Sequence, residues 1–216
     1  SLFCALCWFT ISLISRLKTM LLYYSKTSPF ARKVRVLLSE HELTNRVQLK
    51  LASVLEDAKS TPNPLGKIPC LITPDGDTVY DSPVICEWVE AYATDADITR
   101  DDAYWRAQKL QALGDGVMDA AFNTVMEKNR PADQQSSFWT TRWREAIERG
   151  VAEAAELVTP VEDRLDRGQV AIACMLGYLD FRITDFDWRA AHPSLAQWYE
   201  PVSKRESMIS TAPPAS

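Results

Sequence analysis

The chain has 216 residues, of which 46% are hydrophobic, so it can bury a sizeable core in one or two domains. Its 29 acidic and 24 basic residues leave a net charge of −5, and no basic run interleaves with aromatic residues, which argues against nucleic-acid binding. Five cysteines and two histidines are scattered without the spacing of metal ligands, so we expect no metal site.

The stretch from Ser1 to Thr19 differs from the rest of the chain. Its apolar run, Leu2 to Ile14, is too short to span a membrane, and basic residues follow it rather than precede it as in a secretory signal. Residues 1–19 are therefore expected to be an N-terminal extension of unclear status. It is either an artefact of cloning or of the assumed gene start, or a segment packed on the surface. The Cys4-x-x-Cys7 pair resembles a redox motif, but no strand precedes it, so we assign it no role.

The first predicted strand is the apolar and aromatic run from Met20 to Tyr24. A helix follows, in which Val34, Leu37 and Leu38 recur at helical spacing. Charged residues fall between these positions, as in an amphipathic helix: Arg32, Lys33, Arg35 and Glu40.

Ser28 lies at the turn between this strand and this helix, and Pro29 takes a first-turn position, where its missing N–H costs nothing. The helix dipole makes the turn locally positive, so it can hold an anion or a thiolate. On these residues alone, an ordinary N-cap explains Ser28 as well.

Further strands and a second helix complete the N-terminal part. The alternation of Val47, Leu49 and Leu51 predicts a half-buried strand over Arg46 to Ala52. The remaining patterns predict, in order, a short irregular helix at Ser53 to Lys59, a turn-rich loop at Thr61 to Gly66, strands at Ile68 to Ile72 and Thr78 to Tyr80 joined by the Asp75-Gly76 turn, and a helix opened by Asp81-Ser82-Pro83.

The composition changes at Thr94 to Arg100, which is acidic and lacks strongly apolar residues. We place a domain boundary there, with domains at 20–94 and 100–216. Beyond it, strand patterns vanish and apolar residues recur only at helical spacing.

Three features organise the predicted helical domain. Pro160 should kink or end a long helix. Asp166 and Gln169 match a capping box, and they open an apolar helix from Val170 to Leu179 that should be the centre of the domain. Pro193 starts a last helix.

Four patterns in this order resemble those of bacterial glutathione transferases: Thr27-Ser28-Pro29-Phe30, Asn63 to Pro69, Asp81-Ser82-Pro83 and Ala171 to Arg182. The resemblance covers about nine tenths of the chain. It implies an α/β plus all-α fold, in which a thioredoxin-like βαβ-ββα domain precedes an all-helical C-terminal domain. It also implies a cytoplasmic, detoxifying homodimer that uses glutathione as co-substrate and needs no metal, nucleic acid or membrane.

The resemblance gives Ser28 the catalytic position, where its hydroxyl would donate a hydrogen bond to the glutathione sulfur. The stretch from Ser28 to Ala31 also takes the place of a thioredoxin Cys-x-x-Cys and lacks both sulfurs. A mixed disulfide cannot form at Ser28, which favours activation of the thiol over exchange.

The resemblance also supplies glutathione-binding residues. Pro69 matches the family's cis-proline, which would turn the Ile68 backbone toward the cysteinyl part of glutathione. Phe30 belongs to the first-turn motif, and Lys67 is a candidate for the glycine carboxylate. An edge-strand proline and a solvated lysine are the simpler explanations of Pro69 and Lys67.

Asp81 and Ser82 match the acidic residue and serine that hold the γ-glutamyl end of glutathione. The carboxylate would bind the ammonium group, while the hydroxyl and helix N-terminus would bind the carboxylate. A plain helix cap is the alternative explanation.

The second substrate should lie between the first turn and the long helix after Arg100. Four residues are available there and none is assigned, because an aromatic stripe at helical spacing more often forms core: Tyr104, Trp105, Met118 and Phe122. We interpret Asp115 and Asp119, one turn apart, as a solvated or kinked face rather than an acid–base pair.

The leading hypothesis is a glutathione transferase that adds the glutathione thiolate to a small hydrophobic electrophile. The alternatives are a non-catalytic protein of the same fold that binds glutathione or a partner, and a glutathione-dependent isomerase or reductase. The absence of Cys at position 28 counts against the reductase, and no residue separates the isomerase from the transferase.

Overall fold

The structure, a computed structural model, describes residues 19–95 and 98–214. The extension expected over residues 1–19 therefore lies almost wholly outside the described residues, as do Cys4 and Cys7. Within those two ranges, no helix is both long enough and apolar enough to cross a membrane.

A mixed sheet of four strands organises the N-terminal half. The strands are β1 (Met20–Tyr24), β2 (Val47–Leu51), β3 (Cys70–Ile72) and β4 (Thr78–Val79), in the order β2-β1-β3-β4. β1 pairs in parallel with β2 and antiparallel with β3, and β3 pairs antiparallel with β4. The parallel pair requires a crossover, which helix α1 (Pro29–Glu40) supplies. Helix α2 (Ser82–Thr94) follows β4 and completes the predicted βαβ-ββα order.

Strand β2 departs from its predicted burial. Leu49 is 46% exposed and Leu51 is 59% exposed, so the alternating pattern does not mark a half-buried strand. The reason is its place at the edge of the sheet, where one side has no neighbouring strand. The irregular helix predicted at Ser53 to Lys59 is also wrong, because turns and a short 3-10 helix at Ala58–Ser60 replace it.

Beyond Arg100, the described residues form helices and no strand, as predicted. The helices are α3 (Asp102–Lys128), α4 (Ser137–Leu157), α5 (Arg167–Arg182), α6 (Trp188–Ala191), α7 (Pro193–Ser203) and α8 (Glu206–Ile209), with a 3-10 turn at Ala132–Gln134. Helix α4 ends shortly before Pro160 and α7 begins at Pro193, which confirms both predictions. The domain boundary at Thr94 to Arg100 stays a prediction.

Helix α5 is the centre of the helical half, and its residues 167–179 are all buried. The predicted capping box is present at its start. The Asp166 carboxylate accepts a hydrogen bond from the Gln169 N–H at 2.8 Å, and the Gln169 side chain accepts one from the Asp166 N–H at 3.3 Å. Helix α3 approaches α5 closely, since a Cβ added to Gly114 would lie 2.9 Å from the Ala171 carbonyl carbon.

Helix α1 is buried on more sides than its sequence predicts. It contacts α2, α5 and α8 while it crosses the sheet, so Arg32 and Lys33 are buried rather than solvated. Both are paired. The Lys33 ammonium lies 2.7 Å from both carboxylate oxygens of Asp115, and Arg32 donates to the Met208 carbonyl at 3.0 Å.

Glu40, the last residue of α1, ties this helix to the C-terminal segments. Its carboxylate, 3% exposed, accepts hydrogen bonds from Arg205 at 2.7 and 2.9 Å, from the Ser207 hydroxyl and from the Leu165 N–H at 3.1 Å. Burial by itself would raise the pKa of the Glu40 carboxyl, but the hydrogen bonds from Arg205, Ser207 and Leu165 outweigh burial and hold the pKa below its usual value.

The substitution Glu40→Gln should lower the free energy of unfolding by about 2 kcal/mol at neutral pH, because it removes charge-assisted hydrogen bonds from a buried site. A carboxyl whose folded pKa is depressed contributes stability above its unfolded pKa of about 4.3. That contribution disappears as pH falls through the folded pKa. Urea unfolding of wild type and variant should therefore converge as the pH falls from about 5 toward 3.

A matched control is Glu200→Gln, which removes an exposed ion pair with Lys204 and should leave the unfolding curve unchanged. A stability difference between Glu40→Gln and wild type that stays constant across the acid range would contradict the role given to Glu40.

Candidate active site

A cavity of about 460 Å³ opens between the start of α1 and the helices α3 and α5. The N-terminal half lines it with Ser25, Thr27, Ser28, Pro29, Phe30, Val54, Leu55, Leu65, Gly66, Lys67 and Ile68. The helical half lines it with Asp119, Phe122, Val125, Met126, Tyr178 and Arg182. Four of the seven residues predicted to form a site therefore meet at one cavity: Ser28, Phe30, Lys67 and Ile68.

Ser28 is the N-cap of α1, and its hydroxyl oxygen accepts a hydrogen bond from the Ala31 N–H at 3.2 Å. Capping occupies a lone pair of that oxygen and leaves the hydroxyl proton available to donate. The two interpretations of Ser28 from sequence are therefore compatible. The Ser28 N–H in turn donates to the Ser25 hydroxyl at 3.2 Å, which fixes the turn.

The loop before β3 is organised by the buried side chain of Asn63. Its amide oxygen accepts from the Leu65 N–H at 2.9 Å, and its amide nitrogen donates to the Lys67 carbonyl at 3.0 Å. The Ile68–Pro69 peptide bond is cis, as predicted. Neither the N–H nor the C=O of Ile68 takes part in a backbone hydrogen bond with another described residue. Ile68 therefore presents an unused donor and acceptor at the cavity.

Pro69, Asp81 and Ser82 do not line the cavity itself. Pro69 is buried next to Ile68, while Asp81 and Ser82 stand at the start of α2. The Asp81 carboxylate is exposed and makes no capping hydrogen bond to that helix. The simple-cap explanation of Asp81 is therefore wrong, and its charge is available to a ligand.

Asp119 connects the two parts of the candidate site. Burial raises the pKa of its carboxyl; the Lys67 ammonium opposes the rise, and the Asp81 carboxylate adds to it. Asp119 and Lys67 line the same cavity, and the charges of Lys67 and Asp81 both act on the Asp119 carboxyl.

One wall of the cavity is apolar. It consists of Phe30, Val54, Leu55, Leu65, Phe122, Val125 and Met126. Leu55 and Leu65 are 76% and 66% exposed, although they border a cavity. Exposed apolar side chains around a concave surface are typical of a site that takes an apolar ligand.

Two family models match the chain: the glutathione S-transferase N-terminal domain over residues 27–91, and the glutathione S-transferase C-terminal domain over residues 137–200. An uncharacterized GST-like protein of Escherichia coli K12, YibF, is 38% identical over 200 residues, which are 90% of this chain and 99% of that protein. The chain belongs to the glutathione S-transferase family.

Solved structures of family members are similar to this chain over nearly all of its length. A glutathione transferase family member from Pseudomonas fluorescens Pf-5, with bound glutathione, is 37% identical with a TM-score of 0.82, over 91% of this chain and 100% of that one. A structure from the same organism with bound S-(propanoic acid)-glutathione is 36% identical with a TM-score of 0.76, over 92% and 99%. A transferase from Methylobacillus flagellatus KT, with glutathione bound, is 38% identical with a TM-score of 0.81, over 91% and 100%.

Among the residues considered for a second substrate, only Phe122 lines the cavity. Met118 is in the core with no exposed surface, and Trp105 is 58% exposed outside the cavity. Tyr104 packs under the Arg167 guanidinium, 4.6 Å from its ring centroid. Spacing along α3 could not separate these residues, because all four occupy the same long helical pattern.

Sequence reasoning missed Ser25, Tyr178 and Arg182. Tyr178 and Arg182 are one turn apart within a motif that served only to recognise the family. Their i, i+4 spacing was the available signal, since it puts both side chains on one face of α5.

Asp115 is not the solvated residue that the sequence predicted. It forms the buried pair with Lys33, so it holds α3 against α1 instead of facing the solvent. Asp119 is exposed at the cavity. The two carboxylates therefore have separate roles and do not form an acid–base pair.

The three described cysteines, Cys70, Cys86 and Cys174, are free and buried. Burial raises the pKa of the Cys86 thiol to about 12 and that of Cys174 to about 11. Thiols with such pKa values stay protonated at neutral pH and are poor nucleophiles. No group of three or more His, Cys, Asp or Glu side chains with a metal-binding arrangement occurs among the residues that the structure describes.

Proposed function

We propose that this protein is a glutathione transferase that activates the glutathione thiol and directs the thiolate at a small hydrophobic electrophile. The observation that carries the proposal is the hydroxyl of Ser28. It has a proton to donate, stands at the N-terminus of α1, and borders a cavity with an apolar wall. This mechanism requires no general base near Ser28.

The energetics of thiol activation support this role. Lowering a thiol pKa from about 8.5 to about 6.5 requires about 2.7 kcal/mol. A hydrogen bond to a charged acceptor contributes about 1.5–3 kcal/mol, and a helix N-terminus adds up to about 1 kcal/mol. Ser28 and the start of α1 together therefore suffice.

Glutathione would lie along the N-terminal half with its sulfur at Ser28. The free N–H and C=O of Ile68, next to the cis bond to Pro69, would pair with the cysteinyl backbone. Lys67 would hold the glycine carboxylate, and Phe30 would pack beside the peptide.

The γ-glutamyl end of glutathione would reach Asp81 and Ser82. The uncapped Asp81 carboxylate would bind the ammonium group. The Ser82 hydroxyl and the N-terminus of α2 would bind the γ-glutamyl carboxylate.

Conjugation fits these residues better than reduction. A reductase that works through a mixed disulfide needs an accessible thiolate, and position 28 is serine. The described cysteines are buried, and Cys86 and Cys174 have strongly raised pKa values. The Pseudomonas relative that holds S-(propanoic acid)-glutathione supports the same assignment, because that ligand carries a substituent on the sulfur.

The protein would act as a cytoplasmic homodimer that detoxifies such electrophiles. Buried free thiols suit a reducing compartment. Val84 of α2 and Trp105 of α3 are 52% and 58% exposed, and Val84 and Trp88 line a surface cleft. An exposed apolar patch of this kind suits a subunit interface, so we propose that the two copies meet there.

The substitution Ser28→Ala should slow conjugation of a generic electrophile about 10- to 100-fold near neutral pH, because one hydrogen bond to the thiolate is lost. The pKa of the bound thiol should rise toward about 8.5. Initial rates and the ultraviolet absorbance of the thiolate as a function of pH measure both effects.

The control for this test is Ser136→Ala. Ser136 caps α4 as Ser28 caps α1, by accepting from the Trp139 N–H, and it lies outside the cavity. The Ser136→Ala variant should lose the same type of helix cap and keep full conjugation activity. An unchanged rate and thiol pKa in Ser28→Ala would reject Ser28 as the activating residue.

The substitution Asp81→Asn should weaken glutathione binding about 10-fold, because it removes the charge opposite the γ-glutamyl ammonium group. Calorimetry measures the affinity. Cysteinylglycine lacks the γ-glutamyl end, so its affinity should not change. Asp75→Asn, in the exposed hairpin turn, serves as the control. Equal weakening for both peptides would assign Asp81 a general structural role instead.

The substitution Val84→Glu should shift the protein from dimer to monomer in sedimentation velocity, because it places a charge in the proposed interface. Ile209→Glu is the matched control, since Ile209 is 57% exposed on α8 and should not change the assembly. A monomeric wild type, or a dimer that Val84→Glu leaves intact, would refute this interface.

A further inference from the structure

Arg182 is the last residue of α5, and it lines the cavity together with Tyr178, one turn earlier. Tyr178 is only 6% exposed. Burial raises the pKa of its hydroxyl and the Arg182 guanidinium opposes the rise, so these two polar groups are neighbours. The guanidinium carbon also lies 3.9 Å from the ring centroid of Phe181, against an aromatic surface.

Arg182 forms no ion pair with any residue that the structure describes. Some arginines of the helical half do have a carboxylate partner, among them Arg144, Arg167, Arg189 and Arg205. The second cation of the cavity, Lys67, acts by its charge on the Asp119 carboxyl. The Tyr178 hydroxyl accepts from one of the N–H groups of Arg182, and the remaining donors of the guanidinium can receive a planar acceptor such as a carboxylate.

The wall that leads to Arg182 is apolar. Phe122, Val125 and Met126 of α3 line the same cavity and offer no charge. Asp119 of the same helix also lines the cavity, and the charge of Lys67 acts on its carboxyl. An apolar stretch beside a guanidinium that pairs with no described carboxylate is complementary to a molecule with an apolar body and a carboxylate.

We propose that Arg182, with Tyr178 beside it, binds a carboxylate on the second substrate, so that this enzyme selects apolar electrophiles that carry an acid group. The inference rests on the proposed function and names its substrate class. In this arrangement the guanidinium also offsets the repulsion between an anionic electrophile and the glutathione thiolate.

Two other roles for Arg182 give different results. In the first, Arg182 acts as a cation in the last turn of α5 and does no more than stabilise that helix. In that case its removal would affect neutral and acidic electrophiles alike, and Arg182→Lys would restore both. It could instead hold the glycine carboxylate of glutathione, in which case its removal would weaken glutathione itself.

The binding test needs no turnover, so it stays informative if the proposed transfer activity fails. Calorimetry compares S-benzylglutathione with S-(carboxybenzyl)glutathione, which differ only in the acid group. Arg182→Gln should weaken the carboxylated ligand about 10-fold and leave the affinities of S-benzylglutathione and glutathione unchanged. Arg182→Lys should recover only part of the loss, because an ammonium lacks the planar fork.

The kinetic test uses chlorodinitrobenzene and chlorodinitrobenzoate. In both, the thiolate forms a C–S bond at the ring carbon that bears chlorine, and chloride leaves with the electron pair of the C–Cl bond. Arg182→Gln should lower kcat/KM about 10-fold for the benzoate alone. Arg142→Gln removes the same charge from an exposed position outside the cavity and should change neither rate.

Equal losses for the two electrophiles, or weaker binding of glutathione itself, would overturn the proposal. A failure of the proposed function would look different, because wild type would then conjugate neither electrophile, whereas the calorimetric comparison would still report on Arg182.

Discussion

The burial of helix α1 is the constraint on which this structure depends. The helix crosses the sheet on one side and contacts α5 and α8 on the other, so its charged residues must find partners inside the protein. Lys33 pairs with Asp115, and Glu40 accepts from Arg205, Ser207 and Leu165. These pairs join the N-terminal sheet to the helical half and hold the start of α1 at the cavity.

The start of α1 uses one side chain for two purposes. The Ser28 oxygen accepts the Ala31 N–H and so caps the helix, while its proton stays available for a ligand. Capping also fixes the position of the Ser28 oxygen, because the Ala31 N–H holds it at the start of α1. In the proposed function, this preorganised donor and the positive end of α1 replace a general base. The raised pKa values of the buried Cys86 and Cys174 keep those thiols from competing as nucleophiles.

Much of the fold could be predicted from local patterns. The order of strands and helices, the capping box at Asp166 and the helix start at Pro193 follow from interactions within a few residues, which a sequence displays directly. The turn before α1 singled out Ser28, whereas Lys67 and Ile68 came only from the resemblance to glutathione transferases; all three line the cavity. Predictions failed where burial depends on distant elements, as at Lys33 and at the edge strand β2.

The sequence by itself therefore determined the element order, the family likeness and the half of the cavity that carries Ser28. Only the tertiary structure decided that Asp115 is paired, that Phe122 but not Met118 faces the cavity, and that Arg182 reaches it. The physical reason is that a helical pattern shows which residues share a face. It does not show which other element covers that face, and that depends on contacts between residues far apart in the chain.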